Sequence, residues 1–237
     1  MPPRVNRVAR WIARLVAAVA LAGALYVAWD QANHNFGEVQ HERIYRSGQM
    51  PASSLARTIR EHQIKTVLNL RGSNKDDWYL SERKATLGAG ATQIDVAMSS
   101  CIWMSRAQLR TVVRTLDTAE YPMLIHCQWG AERTGLVSAF AELLRPGSTL
   151  DAARAQFSVR YLFLRINDGK IMAEHLDQYE HWLAAKGWTH EPEHFRRWVE
   201  EGYRPQLPNR EQWPYDPYPL VVISRPESLM TLDSQNR

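Results

Sequence analysis

The sequence predicts an α/β fold, a mainly parallel central sheet with helices on both faces, preceded by one apolar helix of membrane-crossing length. Three patterns in the 237 residues carry this. Short apolar runs of strand length alternate with stripes at helical spacing, the order expected of parallel strands joined by crossover helices. One of those runs delivers Cys127 into a tight loop that a helix closes. Trp11 to Trp29 is apolar throughout except for Arg14.

Residues 1–10 are a basic stretch with Arg4, Arg7 and Arg10, and residues 11–29 are the apolar segment. As a helix that segment rises about 28 Å, close to the roughly 30 Å hydrocarbon core of a bilayer. Tryptophans at both ends suit the two interfaces, and arginines before it with Asp30 after it keep the N-terminus cytoplasmic. The expected state is a single-pass membrane protein with the rest of the chain outside the cytoplasm. The competing state is secreted or periplasmic, because Leu15 to Ala28 has the length of a signal-peptide core and Ala20-Leu21-Ala22 and Ala22-Gly23-Ala24 look like cleavage sites.

Residues 30–42 read as a polar connector. Arg43 to Gln49 forms a short strand running into a turn, Pro51 opens a helix with Leu55 and Ile59 on one face, and Lys65 to Leu70 is the next strand. Trp78 to Leu87 is helical, and Thr92 to Met98 is a strand in which Ile94, Val96 and Met98 face one way. Ser99 to Met104 is a loop. Ser105 to Gln108 is a capping-box pattern that Leu109, Val112, Val113 and Leu116 extend as a helix. After a turn at Tyr121-Pro122 comes the strand ending at Cys127. Beyond its helix, Arg145-Pro146-Gly147 breaks the chain, Ser148 to Asp151 starts another helix, Ile171 to Leu183 marks a longer one, and Glu191-Pro192 begins a short one. From Tyr203 on, prolines and aromatics make a tail with no helix or strand period, which either wraps the domain or stays disordered.

The chemistry concentrates in Leu124-Ile125-His126-Cys127-Gln128-Trp129-Gly130-Ala131-Glu132-Arg133-Thr134-Gly135. Between a strand and a helix, successive N–H groups curl into a nest at the positive helix end, a site for phosphate. Gln128, Trp129, Gly130, Ala131, Glu132 and Arg133 are therefore the phosphate-binding candidates. The same field, with Arg133 beside it, favours a thiolate at Cys127 over the thiol, whose free pKa is about 8.5. Gly130 lets the turn approach the anion, Arg133 offers a planar fork to two oxygens, and the Thr134 hydroxyl can donate to the departing sulfur. The Trp129 ring is placed to line the mouth.

His126-Cys127, five residues, then Arg133-Thr134-Gly135 resembles the H-C-x5-R-[ST] signature of the cysteine-dependent protein tyrosine and dual-specificity phosphatases. Asn35-Phe36, Arg46-Ser47-Gly48-Gln49 and Leu70-Arg71 are similar to the start of the atypical dual-specificity phosphatases of bacteria, plants and fungi, so the resemblance spans roughly residues 35–187. It implies a dual-specificity-phosphatase-like domain over residues 43–187, followed by a helical and Pro/aromatic-rich extension over 188–237. It also implies phosphomonoester hydrolysis through a phosphocysteine, with Cys127 as nucleophile, Arg133 as clamp, Thr134 and His126 in support, and neither metal nor cofactor. A phosphate-binding pseudophosphatase is disfavoured because Cys127, Arg133 and Thr134 are all present. A thiol redox or sulfur-transfer protein is the third class, kept open by Cys101.

Such a reaction needs a general acid, and the sequence leaves two candidates. Asp95 precedes Cys127 by a spacing similar to the mobile-loop acid of dual-specificity enzymes, yet alternation puts it inside a strand. Glu132 sits in the loop itself, a position some phosphatase families use. Asp76, Asp77 and Asp168 stand behind these two. Arg71 ends its strand where it could reach the same mouth. His190 and His194 have helical i,i+4 spacing but no third ligand nearby, so they read as surface residues rather than a metal site.

The net charge of +4 lies entirely in Arg4, Arg7, Arg10 and Arg14; residues 30–237 are neutral, which removes electrostatic support for nucleic-acid binding. Two cysteines make no disulfide framework. The expected partners are the membrane, through residues 11–29, and a phosphorylated protein, lipid or small phosphomonoester. The absence of lysine or further arginine inside the loop argues against a highly charged inositol polyphosphate.

Overall fold

A computed structural model describes residues 7–166, 168–211 and 218–227, with the side chain of Asp168 outside the described set. Its first element is the apolar helix α1 (Arg7–Ala32), long and apolar enough to cross a membrane and exposed along its length until Tyr26 and Asp30 meet the domain. The domain then runs β1 (Gly37–Gln40), β2 (Ile44–Ser47), α2 (Ala52–Glu61), β3 (Thr66–Asn69), α3 (Asp77–Gly88), β4 (Thr92–Val96), α4 (Arg106–Thr118), β5 (Met123–His126), α5 (Glu132–Leu144), α6 (Leu150–Arg154), α7 (Asp168–Lys186), α8 (Pro192–Arg197) and β6 (Val221–Ser224).

The sheet order is β1-β2-β5-β3-β4-β6. The four inner strands β2, β5, β3 and β4 are parallel, as the alternation of strand and helix patterns requires. Both edges are antiparallel, β1 against β2 and β6 against β4. These edges correct two expectations. Residues 37–40 of the supposed connector are a strand, and the tail supplies another at 221–224.

Side chains alternate across the sheet into two packed layers. Ile44, Leu68, Ile94, Val96, Met123 and Ile125 point into the larger core with α4, α5, α7 and α8, where Phe140, Leu176, Phe195 and Trp198 are buried. Tyr45, Val67 and Leu124 point the other way, onto Leu55 and Ile59 of α2. Ser105 caps α4 as expected: its Oγ accepts from Gln108 N at 3.1 Å while Gln108 Oε1 accepts from Ser105 N at 2.8 Å. Such a box contributes about 1 kcal/mol to the helix. The described part of the extension packs on the domain. Tyr203, 1% exposed, donates from its hydroxyl to Met104 O at 2.7 Å, and Trp103 N donates to Pro208 O at 2.9 Å.

Candidate active site

Ser47, His126, Asn69 and Asp95 stand in one register row across the carboxyl ends of the four parallel strands. Ligands collect beyond such ends in open α/β sheets. Cys127 is the next residue after β5, and Glu132 begins α5, so the loop between them spans four residues from Gln128 to Ala131.

Three consecutive carbonyls of that loop are held outward by the rest of the domain. Gln128 O accepts from Gln49 N at 3.1 Å, Trp129 O from Asn35 Nδ2 at 3.0 Å, and Gly130 O from Arg46 Nη2 at 2.7 Å. Because a peptide N–H points opposite to its carbonyl, the N–H groups of the following residues turn inward and form the nest. Gly130 N–H points at Cys127 Sγ at 3.3 Å. Gly130 is glycine for two reasons: its φ is +75°, and a Cβ there would meet Gly48 N at 2.5 Å.

Arg46 is the main brace. It is fully buried, donates from Nη1 to Gln156 O at 2.8 Å and Gln156 Oε1 at 3.0 Å, and lies 3.6 Å from the centre of the Tyr161 ring. Burial pulls its pKa down to about 10, with Tyr161 and Cys127 opposing, so it remains a cation at neutral pH. Neither Arg46 nor Asn35 was identified as a site residue from the sequence. Only the resemblance around them pointed there, since their partners lie 84 and 94 residues away.

The thiol itself is 1% exposed. Burial alone would raise its pKa; Arg133, the Thr134 hydroxyl, and the Thr134 and Gly130 N–H groups outweigh burial and bring it below the ordinary thiol value. Arg133 is steadied by Met98 O, 3.2 Å from Nη1, while its buried Nε has no hydrogen-bond partner among the described residues, the arrangement of a fork that serves an oxyanion. His126 lies on the opposite face of the sheet from Cys127. Its Nε2 is 3.3 Å from Glu82 Oε1, and both side chains are buried. Burial disfavours the imidazolium, but the Glu82 carboxylate and the Cys127 thiolate win, and the pKa of His126 is raised.

The family described as DSP-PTPase phosphatase fused to NAD+ kinase matches residues 7–174. The chain belongs to this phosphatase family. The enzyme is thus a cysteine-dependent phosphatase. No curated protein matches it. Among solved structures, a candidate phosphatase from Shewanella putrefaciens CN-32 superimposes with a TM-score of 0.50 at 13% identity, covering 65% of this chain and 90% of that one, which shows a common fold. The core catalytic domain of the PP-IP phosphatase SIW14 from S. cerevisiae gives 0.47 at 24% identity, over 65% of this chain and 92% of that one. TpbA of P. aeruginosa, solved with pTyr, gives 0.49 at 24% identity, over 61% and 83%.

The phosphatase brings most of its sequence-predicted residues together: Cys127, the nest from Gln128 to Ala131, Glu132, Arg133 and Thr134 are contiguous, with His126 behind. Trp129 projects, 63% exposed, into a cleft of about 530 Å³ lined also by His34, Gln49, Gln128 and Glu132. Arg71 does reach the mouth. It lies 3.5 Å from the Trp78 ring centre, donates to Gln49 Oε1, and with Arg133 and Arg210 lines a neighbouring cleft of about 340 Å³. The mouth is therefore more basic than the loop sequence alone implied.

Asp95 stands apart from the loop. It is 1% exposed and faces α3, two strand spacings or about 10 Å from His126. Oδ1 accepts from Gln93 Nε2 at 2.8 Å and Asn69 Nδ2 at 2.9 Å, and Oδ2 from the Tyr79 hydroxyl at 2.7 Å. Burial nevertheless raises its pKa above the carboxylate norm. Its geometry is that of a brace: it holds Asn69, whose Oδ1 in turn accepts from Arg71 N at 2.9 Å. Asp76 is exposed and accepts from Trp78 Nε1 at 3.0 Å. His190 and His194 are engaged with Tyr179 and with Thr189 and Trp188. Cys101 is an exposed free thiol beside Ser99, and Cys127 is likewise free.

Proposed function

We propose that the chain hydrolyses phosphomonoesters through a phosphocysteine at Cys127 and that α1 anchors it in a membrane with the domain outside the cytoplasm. The observation that carries the reading is the preshaped nest, three carbonyls out and a buried, acidified thiol within it. The substrate phosphoryl group binds the inward N–H groups and the Arg133 fork. Cys127 Sγ attacks phosphorus, the bond to the ester oxygen breaks, and the leaving alcohol takes a proton. Water then attacks phosphorus, the S–P bond breaks, and orthophosphate leaves with the thiolate restored.

Glu132 is assigned as the group that gives the first proton and receives one from the water. Two observations support it over Asp95: Asp95 is sealed by three donors, and Glu132 lies in the loop next to Arg133 and lines a cleft beside it. Asp30 lines the same cleft but is committed to Arg160 at 2.9 Å. Thr134 supports the leaving thiolate, and His126 with Glu82 fixes the end of β5.

The test is rapid acid quenching of the purified protein during turnover of p-nitrophenyl phosphate, followed by mass spectrometry. A phosphoryl adduct on the peptide holding Cys127, absent in Cys127→Ser, is the expected result. Chelator-sensitive turnover without an adduct would refute it.

A further inference from the structure

The anchor and the catalytic loop are joined without slack. α1 closes through Asn33 N to Trp29 O at 3.0 Å and Asn35 N to Asp30 O at 2.8 Å. Asn35 then donates to Trp129 O in the loop and to Tyr161 O at 2.9 Å, while Gly48 N donates to His34 O at 2.7 Å. Asp30, 1% exposed, pairs with Arg160, and the Tyr26 hydroxyl donates to Arg160 O at 2.7 Å. Asn35 is six residues past Trp29, so at helical rise it lies no more than about 9 Å beyond the end of the apolar segment. A headgroup layer is roughly 5–8 Å deep.

The end of the anchor forms one wall of a cleft on the carbonyl side of the loop, which Asp30, His34 and Asn35 line together with Gln49, Trp129 and Glu132. Large apolar side chains are exposed at the end of the anchor, on the catalytic loop and on the segment that grips the anchor. Trp29 is 53% exposed and Trp129 63%, and Val159, next to the Arg160 that grips the anchor, is 73%. Leu164 and Ile166 follow in that loop at 59% and 60%. Tryptophan and aliphatic residues displayed together beside a membrane-crossing helix are the composition of an interfacial surface.

We propose that the substrate is a membrane lipid bearing a terminal phosphomonoester, drawn from the leaflet that holds the C-terminal end of α1. This rests on the anchored-phosphatase reading and adds the substrate class to it. Through Asn35 the catalytic loop is held within about a headgroup layer of the end of the apolar segment, the depth at which a lipid phosphate sits. Cys127 takes the phosphoryl group, the lipid alcohol leaves with a proton and stays in the bilayer, and orthophosphate departs into water. The exposed loop apolars seat the domain on the surface.

The experiment uses the full chain reconstituted in phosphatidylcholine vesicles containing a minor fraction of dioleoyl phosphatidic acid, with p-nitrophenyl phosphate, glycerol phosphate and a phosphotyrosine peptide as soluble comparators. Orthophosphate release from the vesicle lipid is expected to exceed release from glycerol phosphate by about a hundredfold at matched bulk concentration, the gain from confining substrate and enzyme to one surface. Val159→Ser/Leu164→Ser/Ile166→Ser should lower lipid turnover about tenfold and leave p-nitrophenyl phosphate turnover unchanged. Lipid release no faster than from glycerol phosphate, or a peptide preferred over lipid, overturns the proposal while p-nitrophenyl phosphate turnover keeps the phosphatase reading intact. Loss of p-nitrophenyl phosphate turnover, or release of the chain from vesicles by high salt, overturns the underlying reading and this proposal with it.

Discussion

Two loops leave the carboxyl ends of the parallel strands on either side of β3, and they have opposite construction. The loop after β5 is short, its carbonyls are pinned outward by Gln49, Asn35 and Arg46, and it surrounds a buried sulfur with donors. The loop after β4, residues 97–105, is longer and carries no carboxylate at all. It is held instead by the extension, through Tyr203 to Met104 O and Pro208 to Trp103 N. The carboxylate nearest to it in sequence, Asp95, points back under α3. The difference teaches that in this phosphatase the first loop is built to bind and react, and the second is built as a wall.

The comparison breaks most severely if the β5 loop proves dispensable. Cys127→Ser is expected to cut turnover by about 10³-fold or more while vanadate binding persists, because the nest and Arg133 remain. Turnover close to wild type, read by orthophosphate release, would remove Cys127 from the reaction. Arg133→Lys should cost about 10²-fold with weakened vanadate affinity, since a point charge does not reproduce the two-pronged contact.

The acid assignment sharpens the contrast. Glu132→Gln should lower kcat about 10²-fold on an alkyl phosphate and much less on p-nitrophenyl phosphate, whose leaving group needs little protonation. Asp95→Asn should stay within about threefold on both substrates. A hundredfold loss confined to alkyl substrates in Asp95→Asn would reverse the two roles. That variant has a second readout. The folded-state pKa of Asp95 is raised, so the fold binds its proton more tightly than the unfolded chain does, and stability from this group is gained as pH falls through the raised value. Asp95→Asn should flatten that part of the thermal-stability profile between the ordinary and the raised carboxyl pKa.

The pH profile of activity provides a smaller effect. Cys127 is held below the ordinary thiol range, so the acid limb of kcat/KM should fall below about 8.5, and Thr134→Val should move it upward by removing one stabilising donor. An unmoved limb would take Thr134 out of the thiolate's environment. Smallest of all, Cys101→Ser in the β4 loop should leave turnover unchanged, because its sulfur contacts Ser99 rather than the nest.

What was legible in the sequence was local. β5, the loop and α5 could be read because strand period, glycine, arginine and helix stripe follow one another within a few turns of chain, and the capping box of α4 announced itself the same way. Gly37–Gln40 has no apolar run, and it is pairing with β2 that makes it a strand, which is not a local property; Val221–Ser224 does carry a β-branched run, set among the prolines of the tail, and pairs with β4. Asp95 lies inside a strand, as the alternation of its neighbours predicts. Its enclosure by Tyr79, Asn69 and Gln93 depends on α3 and β3 packing over it, which no period reveals.

The bond from Asn35 to Trp129 O has a practical side for anyone who shortens the chain to obtain a soluble enzyme. Trimming to the first residue of β1 would discard Asp30 and Asn35, leaving a loop carbonyl and the Arg160 guanidinium without their buried partners. A start at Asp30 keeps both. So would cleavage after the small residues at positions 20 to 24, which means that the two possible fates of the leader produce the same catalytic loop.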